Sequence, residues 1–521
     1  MPRYFNTAGP CQADLHYMLP PLARLPELLQ MIEQRGYFVI HAPRQTGKTT
    51  AMMALARDLT ASGSYTAIVL SVESGSAYPH NLDRAQKYIL TDWQNTSRIV
   101  LPPELQLPKL TEIQAETGIH DLDLRTVLQA WAIASPRPLV TFIDEIDSLE
   151  DETLITVLRQ LRSGYPHRPE GFPQSLALIG VRDVRDYKVA SGGSPRLRTS
   201  SPFNIKIESI PLSNFSATDV AALYQQHTKA TGQVFEPQAL AAVFKLTQGQ
   251  PWLVNAIARQ LVEVLVPDPT VAITTAAVAQ AKERIIQRQE THLDSLMKLL
   301  REPQVKAILE PMLSGQSWGN IPEDDRQYLI DLGLLVRPPA GGLAIANPIY
   351  QETIPRVLAS GPQDSLPTIA PTWLTSDGSL DAEQLLHAFL AFWRQHGEPL
   401  LQSAPYPEIA PHLVLMAFLH RVVNGGGTLE REYAVGSGRM DLCLRYGAVT
   451  IAIEIKVWRG GQADPLSQGL AQLDRYLAGL DLNAGWLVIF DRRPNLPPIA
   501  ERTITETAMT GTGRSVVVIR G

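Results

Sequence analysis

Apolar residues along the chain recur in two rhythms. Short runs of strand length stand at 37–40 ("YFVI"), 65–73 ("YTAIVLSVE"), 137–144 ("RPLVTFID") and 175–183 ("SLALIGVRD"). Between them, residues such as those of "TTAMMALARDLT" place Ala, Met and Leu at helical spacing. Apolar strands alternating with helical segments predict a parallel sheet in a doubly wound α/β core. From 211 to 262 the pattern changes to several short helices punctuated by Ser, Pro and Gly, which suits a helical lid. A longer helical pattern follows at 274–300, where Ile285, Ile286, His292, Leu293 and Leu296 share a face; His292 there reads as an interface residue rather than a ligand. Helices then give way to two short strands, "LLVR" at 334–337 and "LAIAN" at 343–347, joined by a Pro/Gly-rich turn. Past an aperiodic Pro/Ser/Gly-rich stretch come helices at 382–397 and 411–426, then strands at 428–435, 439–446 and 450–458. A helix at 466–480 and a last apolar strand at 485–490 complete the pattern.

These changes of rhythm divide the 521 residues into a core over 1–210, a lid over 211–275, a helix-and-hairpin module over 276–358, a linker over 359–380 and a C-terminal α/β domain over 381–521. Hydrophobic residues at 45% and charged residues at 19% fit a globular, soluble chain. A net charge of -6 gives no global attraction to nucleic acid, so any such contact needs a local basic surface. Two distant cysteines, Cys11 and Cys443, suggest neither a disulfide framework nor a zinc cluster. The polar, proline-containing start does not read as a signal peptide, and no apolar run reads as long enough to span a bilayer. The expectation is a cytoplasmic protein with no membrane partner.

Candidate chemistry begins after the first strand. "APRQTGKT" at 42–49 maps onto the phosphate-binding signature G-x-x-x-x-G-K-[ST], with Ala42 in place of the first glycine. Residues Pro43, Arg44, Gln45, Thr46, Gly47, Lys48, Thr49 and Thr50 are thus candidates to hold ATP. Loop N–H groups face the phosphates, Lys48 adds a point charge and Thr49 offers a hydroxyl to Mg²⁺. Ala42 predicts strain in the first turn if that position is left-handed. The strand 137–144 ends in "DEID" and looks like a Walker B segment, with Asp144 holding Mg²⁺ and Glu145 polarising water for γ-phosphate hydrolysis. Each segment has a plainer reading, a basic helix start and an acidic helix N-terminus, but the pair in this order favours the nucleotide site. At the end of 175–183, Arg182 and Arg185 stand where a nucleotide-sensing arginine can sit, or an ordinary surface one.

With "FNTAGPC", "HYMLPP", "YFVIHAPRQTGKTT", "FIDEID", "SPFNIKI" and "TQGQPWLVNAIARQL", residues 1 to 275 resemble the AAA-type ATPases, specifically the STAND and archaeal-type branch. The resemblance implies that the segment before the P-loop touches the adenine, with Arg24 and Tyr17 as candidates. It also makes Gly249, Gln250 and Pro251 a lid motif, with Pro251 nearest the base. The 276–358 module resembles a winged helix, yet its candidate reading helix, "PEDDRQYLIDLG", is acidic and suits an intramolecular or oligomer contact better than DNA.

In "IAIEIK" at 451–456, Glu454 and Lys456 share one strand face while Ile451, Ile453 and Ile455 take the other. If the neighbouring strand pairs suitably, Asp441 joins them. Two converging carboxylates call for a cation, here Mg²⁺ or Mn²⁺. A lysine beside them can stabilise developing phosphate charge. Asp441 with "EIK", "GSGRMDL" and "QLDRY" resembles the PD-(D/E)XK nuclease superfamily over residues 381 to 495. The resemblance implies metal binding by Asp441 and Glu454, catalysis by Lys456 and support from Gln472 and Tyr476. Glu408 or Glu432 would be the first acidic residue. An ordinary salt-bridged Glu and Lys on an exposed face is the plainer reading. The whole then reads as an ATP-gated nuclease and a candidate homo-oligomer, with DNA favoured over RNA, and the family architecture alone implies a role in defence or mobile-element control. The competing reading is a nucleotide-dependent switch or scaffold that only binds nucleic acid or protein, through residues such as Trp458, Arg459, Arg492 and Arg493.

Overall fold

A computed structural model of the chain describes residues 3–183, 203, 205–288, 299–313, 321–339, 341–365, 371–403, 409–423, 427–435 and 438–521. The chain forms two compact units, Met1–Arg288 with Pro322–Pro348, and Gln289–Ile321 with Ile349–Gly521. Residues of the stretch 276–358 contribute to both. Among the described residues no helix is long and apolar enough to cross a membrane.

The first unit is built on β1 (Tyr37–His41), β2 (Thr66–Ser71), β3 (Leu139–Asp144), β4 (Ser175–Gly180) and β5 (Glu208–Pro211), in the order β2-β3-β4-β1-β5. Every pairing is parallel. Both faces are covered, and successive residues of β1 enter opposite cores. Phe38 and Ile40 pack with Met52 and Leu55 of the helix Lys48–Ala61, while Tyr37 and Val39 pack with Trp93 and Trp131 on the other side. A sheet covered on both faces needs continuous apolar strands, which is why these runs were legible. The lid helices Ala217–Thr231, Pro237–Thr247 and Pro251–Arg259 follow β5. Ser216 and Asp219 form a reciprocal capping box on the first of them. The third starts on Pro251, with Gln250 capping the Leu253 N–H at 2.6 Å. The helix Glu323–Asp331 and the antiparallel pair β6 (Leu335–Val336) and β7 (Ala344–Ile345) belong to the same unit.

The second unit carries helices Ala382–Ser403 and Ala410–Val423 and a sheet of six strands. These are β8 (Gly427–Val435), β9 (Gly438–Tyr446), β10 (Val449–Trp458), β11 (Ala484–Asp491), β12 (Ile504–Met509) and β13 (Ser515–Arg520), in the order β12-β13-β11-β10-β9-β8. The helix Leu466–Gly479 connects β10 to its parallel neighbour β11. Two expectations need correction. The strand at 485–490 is not the last, because β13 adds in parallel to β11 and β12 closes antiparallel on β13. Nor is 359–380 wholly irregular: the helix Pro348–Ser365 continues past 358, and Trp373, almost fully buried, packs edge-on against Phe418. Burying an indole outweighs the low helical propensity and turn-rich composition nearby.

Candidate functional site

The nucleotide-binding loop leaves β1 at His41. Ala42 is buried, and its N–H bonds to the Gly180 carbonyl of β4 at 3.3 Å. The left-handed residues are Gln45 (φ 61) and Gly47 (φ 94), not Ala42, so the strain expected at the substituted first position does not arise. Thr46 Oγ1 donates to the Pro43 carbonyl at 2.9 Å. Lys48 Nζ donates to the carbonyls of Ala42 (2.7 Å) and Pro43 (3.0 Å), so the lysine is folded back over the loop. Burial lowers its pKa, opposed by the nearby carboxylates of Asp147, Asp144 and Glu145.

At the end of β3, buried Asp144 accepts from Thr49 Oγ1 at 2.7 Å and from the Glu145 N–H at 2.9 Å. Glu145 is itself left-handed (φ 57), and burial, then Asp147 and Asp144, raise its carboxyl pKa. Asp147 accepts from the Val181 N–H at 3.2 Å and so ties β4 to the acidic turn. Thr49 and Asp144 are hard oxygen donors already in contact, a set that fits Mg²⁺.

Parts distant in sequence complete the enclosure. Arg24 donates to the carbonyls of Thr46 (3.0 Å) and Ser213 (2.6 Å) and lies over the Phe215 ring, bracing the loop against the chain leading to the lid. Residues 6–18 form a strap: the Cys11 N–H bonds to Thr50 Oγ1, the Thr7 carbonyl accepts from Trp252 Nε1, and Met18 exchanges two bonds with Gln226. Together these segments enclose a cavity of about 410 Å³. Arg44, Gln45, Thr46, Gly47, Lys48, Thr49, Thr50, Asp144, Glu145 and Pro251 all line it, as do Tyr17 and Arg24. Pro43 does not; its ring abuts Gly333, where an added Cβ would lie 2.7 Å from Pro43 Cγ. Arg182 is not a lining residue either. It pairs with Asp331 at 3.7 Å and its guanidinium lies 4.7 Å from the Tyr328 ring centre. Arg185 lies outside the described residues. Trp252 and Asn255, which the sequence did not single out, line the cavity through the helix that starts at Pro251.

A phosphate-binding loop, an acidic strand end and a helical lid around one cavity, carried by a parallel α/β sheet, define a P-loop ATPase. The chain belongs to the family of the AAA-like domain, whose profile matches residues 23–352. Among solved structures, the Walker-type ATPase PABY2304 of Pyrococcus abyssi is similar at 14% identity and TM-score 0.44, over 66% of this chain and 98% of that one. The RuvB Holliday junction branch migration motor of Thermotoga maritima is similar at 15% identity and TM-score 0.33, over 63% and 91%. The ORC2 protein of Aeropyrum pernix is similar at 15% identity and TM-score 0.35, over 63% and 88%. No curated protein matches the chain.

The second unit holds a smaller constellation. Antiparallel pairing of Ile453 with Leu442 brings Asp441 of β9 beside Glu454 of β10. Asp441 Oδ2 accepts from the Ile455 N–H at 2.7 Å, and Lys456 Nζ donates to Glu454 Oε1 at 2.6 Å. Glu454 is 2% exposed and its Oε2 has no hydrogen-bond partner among the described residues. Burial, then the Asp441 charge, pushes its carboxyl up to about 7 against the pull of Lys456. On the helix Leu466–Gly479, Gln472 Oε1 is also buried without a partner, while Tyr476 packs in the core with Leu473 and Leu477. Among the described residues no group of three or more His, Cys, Asp and Glu is placed to hold a metal ion. Glu408 lies outside those residues; Glu432 lies on β8 with its side chain outside them. Trp458 is covered by Arg493 at 3.6 Å, which also clamps Asp491, and the Arg492 N–H bonds to the Trp458 carbonyl.

Proposed function

We propose that the protein is an ATP-gated nuclease: ATP is bound and hydrolysed in the first unit, and the second cleaves nucleic acid, DNA rather than RNA, with Mg²⁺ or Mn²⁺. The observation that carries the nuclease half is the buried juxtaposition of Asp441 and Glu454 with an unpartnered Glu454 Oε2. A carboxylate held there beside another is costly unless a cation or a proton neutralises it. What supports this reading further is that the two facing carboxylates supply oxygen donors of the class those metals take.

In the first unit, Thr49 and Asp144 would hold Mg²⁺, which when bound neutralises charge on the phosphate oxygens. Lys48 would exchange its two carbonyl partners for phosphate oxygens, a charge-assisted gain. Glu145, its pKa raised by burial, suits a base that takes a proton from water attacking the γ-phosphate.

In the second unit, Asp441 and Glu454 would hold the metal, which when bound polarises a phosphodiester oxygen. Lys456 would leave Glu454 and stabilise charge on the phosphate. The attacking water oxygen forms the new P–O bond, the bond to the leaving sugar oxygen breaks, and a proton ends on that oxygen.

The Glu454 and Lys456 ion pair favours the second reading: a nucleic-acid-binding or protein-binding scaffold without cleavage. Cleavage of labelled linear and circular DNA, with either metal and with or without ATP, separates the two. Metal-dependent cutting that Lys456→Ala abolishes establishes the nuclease, and dependence on Lys48 establishes the gate. Intact ATP turnover with no cutting leaves the scaffold.

A further inference from the structure

Among the described residues, three side chains bring positive charge to the lining of the nucleotide cavity: Lys48, Arg24 and Arg44. Two of them are already engaged. Lys48 is held by the carbonyls of Ala42 and Pro43, and Arg24 by those of Thr46 and Ser213. Arg44 is exposed, and among the described residues its guanidinium has no hydrogen bond or ion pair. The backbone nevertheless sets Arg44 beside the other charged groups. Lys48 Nζ rests 3.0 Å from the Pro43 carbonyl oxygen, on the peptide bond that begins Arg44. Gln45 then turns left-handed (φ 61), so Arg44 stands at the bend of the loop. Its charge is felt at the Lys48 ammonium together with those of Asp147, Asp144 and Glu145.

A phosphate oxygen that draws Lys48 off its two carbonyls meets it at that peptide bond, within the reach of an arginine side chain. In hydrolysis the water oxygen forms a bond to the γ-phosphorus and the proposed base Glu145 takes the water's proton. The bond to the oxygen bridging the β- and γ-phosphates breaks, and that oxygen leaves on ADP with the electron pair. Charge spread over the γ-oxygens and the leaving oxygen is what a guanidinium stabilises in the transition state beyond the bound substrate. Such an arginine can come from the same chain or from a partner. A cation that only draws nucleotide in would speed binding and leave the chemistry alone.

We infer that Arg44 is a catalytic residue of ATP hydrolysis, supplied by the phosphate-binding loop to the γ-phosphate held by its own chain. The inference rests on the reading of the cavity as an ATPase site. Its consequence is that each chain carries a complete site, and turnover needs no neighbouring subunit.

The test is single-turnover and steady-state ATP hydrolysis by the full chain in Mg²⁺, beside ADP binding and the capture of ADP with aluminium fluoride, which mimics the phosphoryl group in transfer. Arg44→Ala lowers kcat about 10³-fold, leaves the Kd for ADP and the KM for ATP nearly unchanged, and loses aluminium fluoride capture. Arg44→Lys keeps the charge without the planar fork and recovers only part of the rate. Wild-type turnover per chain is independent of protein concentration. A full kcat with a raised KM in Arg44→Ala, or a lowered kcat with capture intact, overturns the assignment. So does hydrolysis restored by mixing Arg44→Ala chains with Lys48→Ala chains, which would put Arg44 on a neighbour's nucleotide. Wild-type protein that binds ATP and hydrolyses none overturns the ATPase reading and the inference with it.

Discussion

At the residue scale, the loop tolerates alanine at its first position because the left-handed turns fall at Gln45 and Gly47. Ala42→Gly should leave ATP turnover within about twofold and cost roughly 0.5–1 kcal/mol in denaturant unfolding from chain entropy, with about 0.8 kcal/mol more from the lost buried methyl. Gly47→Ala should do worse on both counts. It carries about 1–2 kcal/mol of left-handed strain, and its Cβ would sit 3.2 Å from Arg24 Nη2, pressing on the brace that holds Thr46. Glu145→Gln removes the proposed base and keeps the shape: ATP binding should persist while single-turnover hydrolysis falls about 10²–10⁴-fold. Hydrolysis surviving that change would move the base elsewhere. That Lys48, Thr49 and Asp144 meet around one cavity was legible in the sequence because a P-loop followed by an acidic strand end carries those residue types at fixed spacing. Arg24 as a brace and Asp331 as a partner of Arg182 were not, since each acts on residues more than a hundred positions away, or on a backbone carbonyl that carries no residue identity.

At the element scale, the period-two pattern of β10 announced which face Glu454 and Lys456 share, and the pairing register with β9 then delivered Asp441. β12 was hidden because "ITETAM" is largely exposed and lacks an apolar face, and β13 because strand pairing in parallel to β11 is a tertiary fact. Two changes test the elements. Gly249 is left-handed (φ 71), and a Cβ there would lie 1.8 Å from the Phe215 carbonyl oxygen. Gly249→Ala cannot fit without displacing the turn before Pro251, so a loss of roughly 3 kcal/mol or more is expected in unfolding experiments, from strain and a broken turn together. In the second unit, Mn²⁺ without nucleotide should raise the melting temperature of the wild type, by about 2.7 kcal/mol of stability at a hundredfold excess over Kd. Asp441→Asn and Glu454→Gln should lose that gain, and chelator should reverse it. Equal stabilisation in both variants would place the bound metal elsewhere.

At the scale of the whole molecule, the chain crosses from the first unit to the second after Arg288, returns at Pro322, and leaves again after Pro348. The returning piece is the one that touches Pro43 and Arg182, and both its ends continue along the chain into the second unit. A coupling carried this way is a difference between nucleotide states rather than a property of the resting protein. On the proposed reading as a gated nuclease, cleavage rates measured in ATP, in ADP and without nucleotide should differ by about fivefold or more, the usual range for coupled sites. Lys48→Ala should abolish the difference between ATP and ADP. The overall charge of -6 adds a condition to the proposed DNA substrate: local cations alone would hold it, so the logarithm of affinity should fall with the logarithm of salt at only about 0.9 per phosphate contacted. A shallow salt slope with a nucleotide-dependent rate fits local capture gated from the first unit, whereas rates indifferent to nucleotide would leave two independent enzymes on one chain.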